Sequence, residues 1–109
     1  MANKDVVKAE RILRRLLEVR GIGINKIIVF GSYIKNTMTA DSDMDFIVVS
    51  KDLRNKDIFE RVEFTSGIHR DLVRRIRKPV DIVYYSDKEW EKGNSILIRE
   101  VKENGVIYG

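Results

Sequence analysis

The chain has 109 residues, 43% hydrophobic and 35% charged, with a formal net charge of +4 at pH 7 and no cysteine. That length suits one domain over residues 1–109 around one core. Without cysteine, disulfides, zinc–thiolate centres and thiol nucleophiles are excluded, no apolar run reaches the length of a membrane span, and no secretory signal opens the chain, so the expected location is the cytoplasm.

Residues 5–20, DVVKAERILRRLLEVR, place Val6, Ala9, Leu13, Leu16 and Leu17 at helical spacing, with Asn3 able to cap the start and Gly21 the end. The turn Gly21-Ile-Gly23 leads to a first apolar strand, Lys26–Phe30, and a second follows at Met44–Val49. From 56 to 77, Ile58, Val62, Thr65, His69, Leu72 and Ile76 recur at steps of four and three, which predicts a helix bent at Gly67 and ended by Pro79. On that stripe His69 reads as a half-buried packing residue, and Trp90, Tyr84 and Tyr85 as packing residues before base-stacking ones. A third strand is predicted at Val80–Tyr85. Ser86-Asp-Lys-Glu89 has the form of a capping box before further helix through Lys102, and Gly105 allows a closing turn with Val106-Ile-Tyr108. Apolar strands alternating with helices predict a layered α/β (α+β) domain, a small sheet of three strands flanked by about four helices.

The polar segment between the first two strands carries the chemistry. Residues two apart on a strand face the same way, so Asp43 and Asp45 project together from one face of the second strand. Carboxylates that close resist joint ionisation. A divalent cation removes the conflict, and hard oxygen donors suit magnesium or manganese. Asp81 lies one residue into the third strand and can join the pair as a third ligand or a base if those strands are neighbours. Gly31-Ser32 ends the first strand, where a glycine lets a phosphate approach the backbone and Lys35 adds positive charge. Taken together these residues describe a metal–nucleoside triphosphate site. Gly-Ser, ten residues, then Asp-x-Asp arises by chance in on the order of one in a thousand chains of this length.

Gly31-Ser32, Asp43-x-Asp45 ten residues on, and Asp81 in a later strand resemble the motifs of the minimal nucleotidyltransferases of the DNA polymerase beta superfamily. The resemblance covers nearly the whole chain, including an ending of the type ILIREVKENGVIYG. It implies a mixed sheet flanked by helices, two Mg²⁺ ions (Mn²⁺ also suits) and ATP as the nucleotide substrate. By position, Gly31, Ser32 and Lys35 would hold the triphosphate. Asp43 and Asp45 would bind metal, and Asp81 would complete the metal site and help deprotonate an incoming hydroxyl. The chain departs from the family pattern at Tyr33, where Arg is usual, and at Asn36, where Gly is usual.

The resemblance also implies partners. Many such proteins are antitoxins paired with a small helical HEPN-type toxin, and some attach AMP to a tyrosine of it. Chains this short lack the domain that larger relatives use to grip base and acceptor, so a partner or a second copy would supply it. A non-catalytic module that neutralises a toxin by contact is the alternative. Nucleic-acid binding ranks last, because it rests on the +4 charge and the basic run 70–78, which reads as a solvated helix face without interleaved aromatic residues.

Overall fold

The computed structural model describes residues 4–31 and 42–108. Among them the elements run α1 (Lys4–Val19), β1 (Lys26–Phe30), β2 (Met44–Val49), a 3-10 turn (Lys51–Leu53), α2 (Ile58–Phe64), α3 (Ile68–Ile76), β3 (Val80–Tyr85), α4 (Asp87–Lys92), α5 (Ile96–Asn104) and β4 (Val106–Ile107). The sheet order is β3-β2-β1-β4, with β1 antiparallel to β2 and β4, and β2 parallel to β3. The sheet is therefore mixed and four-stranded rather than three-stranded. The added strand has two residues, too few to show an alternating pattern in sequence, and Val106 pairs with Val29 while Ile107 pairs with Ile28.

Two apolar layers enclose the sheet. On one face Val6, Ala9, Leu13 and Leu17 of α1 and Ile68 and Leu72 of α3 pack on Ile27, Val29, Met44, Phe46 and Val48. On the other, Trp90, Ile98 and Val101 of α4 and α5 cover Ile28, Ile47 and Val49. Fully burying a Leu, Ile or Phe side chain stabilises by roughly 1.5–3 kcal/mol, so both layers matter. Strand residues between two helical layers are apolar on both faces, which explains the unbroken run Phe46–Val49. The capping box at Ser86 and Glu89 forms as expected, and a second one joins Asp57 to Glu60.

The run 56–77 is two helices, not one bent helix. Gly67 sits at φ +85°, a left-handed conformation that ends the helical path. The break resets the register: Ile68 takes the core position that a continuous helix would give His69. His69 is exposed instead, with Nε2 2.6 Å from the Val80 carbonyl oxygen. Ile58 and Val62, set free of the stripe, are 68% and 64% exposed.

Candidate active site

Three carboxylates gather at the end of the sheet where β1 finishes and β2 and β3 begin. The register sets Asp45 opposite Phe30 on one side and Asp81 on the other. Residues opposite each other in neighbouring strands share a face, so Asp45 and Asp81 project from the same side as Ile47 and Val49, beyond the cover of α4 and α5. Asp43 precedes the strand by one residue and is exposed, as is Asp81, while Asp45 is half-buried. Burial pushes the Asp45 carboxyl up to about 6, with the charges of Asp81 and then Asp43 adding to the effect.

Gly31 closes β1 against this row. It stands at φ +82°, and a Cβ built there would lie 2.3 Å from Oδ2 of Asp45. Only glycine fits, because both the backbone conformation and the carboxylate occupy what a side chain would need. The Gly–Asp pairing that the sequence motif spreads over fifteen residues is thus one contact in space. Ser32, Tyr33, Lys35, Asn36 and Asp41 lie outside the described residues, as does the expected cap Asn3.

The donor chemistry of the row fits a hard divalent cation. It is all oxygen, its charges repel, and the central member holds its proton unusually tightly. As the chain stands the acids are not drawn into a closed cage: among the described residues no three His, Asp or Glu side chains come close enough together to hold an ion. Trp90, Tyr84 and Tyr85 pack in the apolar layers. Trp90 is 6% exposed beneath Lys102, whose Nζ lies 5.2 Å from the ring centroid. Tyr84 packs on the α1 side and Tyr85 on the opposite one.

A stability effect follows from Asp45. Its folded-state proton affinity exceeds that of the unfolded chain, so between about pH 4 and pH 6 only the native state still holds the proton and stability falls as pH rises. Solvent still reaches the group, so the loss is on the order of 1 kcal/mol. Asp45→Asn should leave stability unchanged below pH 4 and raise it by about that amount above pH 6, read from urea unfolding at each pH. Parallel pH profiles for parent and variant would refute the strained carboxylate.

The polymerase beta nucleotidyltransferase family matches residues 12–108, and the chain belongs to that family. Solved structures share the fold. A toxin–antitoxin complex with AMP-PNP is similar at 23% identity and TM-score 0.64, over 90% of this chain and 70% of that one. The toxin–antitoxin MntA–HpeT, in a form with two aspartates changed to glutamate, gives 21% identity and TM-score 0.63 over 91% of this chain and 70% of that one. A candidate nucleotidyltransferase from Sulfolobus solfataricus gives 17% and 0.52 over 99% and 88%. No curated protein matches.

Proposed function

We propose that this nucleotidyltransferase moves AMP from ATP to a hydroxyl, a tyrosine of a HEPN-type toxin partner, and acts as that toxin's antitoxin. The observation that carries the reading is the carboxylate row Asp43, Asp45 and Asp81 with Gly31 pressed against its centre. Family membership supports nucleotidyl transfer, and the similar toxin–antitoxin structure with AMP-PNP supports both the nucleotide and the partner. An ATP-consuming reaction of this kind belongs in the cytoplasm.

In this reading Gly31 and Ser32 hold the outer phosphates, with Lys35 beside them. Asp43, Asp45 and Asp81 would hold Mg²⁺, which would neutralise triphosphate charge and lower the pKa of the attacking hydroxyl. The acceptor oxygen attacks the α-phosphorus, the bond from that phosphorus to the bridging oxygen of the β-phosphate breaks, and pyrophosphate leaves. Asp81, exposed at the outer end of the row, takes the hydroxyl proton. The chain's main contribution is placement of the two reactants.

A second reading, neutralisation by contact alone, draws on a specific observation. On α2, Ile58, Phe59 and Val62 are 68%, 81% and 64% exposed, beside a hollow of 570 Å³ between that helix and β3. Exposed apolar patches of this kind are covered by protein partners. The two readings separate in one experiment. With a HEPN-type toxin as partner, Mg²⁺ and ATP labelled at either the α- or the γ-phosphorus, transfer predicts α-label on a partner tyrosine and no γ-label. Neutralisation of the toxin with neither label attached would leave the contact reading standing alone.

A further inference from the structure

The face of the sheet away from the acids carries the positive charge. Residues 4–19 and 68–78, the spans of α1 and α3 with the two residues after it, hold ten cationic and four anionic side chains, a net +6 within a chain of +4. On α1 the inward positions are Val6, Ala9, Leu13 and Leu17. Lys4, Lys8, Arg11 and Arg15 recur at steps of four, three and four on the opposite side, all exposed. On α3 Ile68 and Leu72 face inward, while Arg70 and Arg74 recur four residues apart on the outside and Arg77 caps the helix end, all three exposed.

The two helices run antiparallel. Lys78 Nζ lies 3.6 Å from Asp5 at one end, and the Arg20 guanidinium donates to the Phe64 carbonyl at 3.1 Å at the other. The two cationic rows therefore lie side by side. Acids do little to cancel them: Glu10 is buried against Arg14 at 2.8 Å, Asp5 faces Lys78, and Asp71 lies 3.7 Å from Arg70. Glu18 stands at the far end of α1. Among the described residues Lys4, Lys8, Arg11, Arg15, Arg74 and Arg77 make no side-chain ion pair or hydrogen bond.

We propose that this double row docks the phosphodiester backbone of a nucleic acid, on the side of the sheet opposite the carboxylates. The α-helical rise spaces the α1 cations by about 4.5–6 Å over roughly 16 Å, a rigid rail that meets successive phosphates. Several unpaired Lys and Arg held on one face form the electrostatic footprint of such binding. Aromatic residues are absent from the rows, so the surface reads backbone charge and not bases. It also lacks exposed large apolar side chains between the cations, Val7 and Ile12 being half-buried, which a membrane-surface helix would need.

Fluorescence anisotropy of the full chain with labelled 20-residue oligonucleotides, titrated between 50 and 200 mM salt, tests this. Binding should be independent of base sequence. Its affinity should fall with salt at a log–log slope of about −0.9 per engaged phosphate on duplex DNA, or about −0.7 on single-stranded RNA, and comparing the two shows which source fits the rail better. Lys8→Gln with Arg11→Gln should weaken binding about tenfold and flatten the slope by about 2. Lys88→Gln with Lys92→Gln, two exposed cations of α4 on the far side, should change neither. An equal loss in both pairs would mean a whole-molecule charge effect and would overturn the surface. So would absence of binding at 50 mM salt, or tighter binding to phosphatidylserine vesicles than to either oligonucleotide.

Discussion

Replacing Asp43 and Asp45 together by Asn should cut label transfer by at least about a thousandfold, the scale set by losing an electrostatic anchor for transition-state charge. The argument rests on the row itself. Asp45 sits between Phe30 and Asp81 in register and feels the charge of Asp43 as well, so removing the charges of Asp43 and Asp45 leaves Asp81 alone. Metal linkage supplies an independent readout. In the parent, Mg²⁺ or Mn²⁺ should raise the melting temperature with concentration, more with ATP present, because the native state alone binds. That rise should fade below about pH 6, where Asp45 takes up its proton. The double variant should melt at or above the temperature of the metal-free parent and ignore added metal. A variant that still responds to metal, or still transfers at the parental rate, would place the site elsewhere.

Gly31→Ala should harm both stability and transfer. The left-handed φ of +82° costs a non-glycine residue about 1 kcal/mol or more. The added carbon would also stand 2.3 Å from Oδ2 of Asp45, so the carboxylate must shift by something on the order of 1 Å. Together these should lower the melting temperature by about 5–10 °C and slow transfer about a hundredfold, the usual consequence of misplacing a reacting group by that distance. The second effect acts through Asp45, so it should nearly vanish when Gly31→Ala is added to Asp45→Asn. Additive losses in that pair would mean that Gly31 serves the nucleotide directly and not through the carboxylate.

Much of this was legible in the sequence because it depends on local rules. The α1 stripe, the apolar strands and the Ser86–Glu89 capping box follow from spacing and capping chemistry. Whether Asp81 could join Asp45 depended on the second and third strands being neighbours, and the parallel register sets the two opposite each other. What escaped is non-local. β4 exists only because β1 offers it an edge, and nothing in Val106-Ile107 alone distinguishes a strand from a turn. The exposure of His69 hinges on one dihedral at Gly67, which periodicity across 56–77 cannot register. Asp45's contact with Gly31 needed the backbone path at the end of β1, and the twin cationic rows needed the antiparallel packing of α1 on α3.

The small bond from His69 to the Val80 carbonyl bears on how the outer border of the sheet is protected. The carbonyl of Pro79, just before β3, accepts from Met44 N–H, and that of Tyr85 accepts from Ser50 N–H just after β2, so by alternation the main-chain groups of Val80, Ile82 and Tyr84 face away from β2. A bare strand edge of that kind is a template for another chain and a route to aggregation. Here the Val80 carbonyl is taken by an imidazole, and Ile82 and Tyr84 line the hollow beside α2. At the opposite border β4 is only two residues long, too short to seed a ladder. Both margins of the sheet are thus blunted, one by a side chain and a helix, the other by brevity.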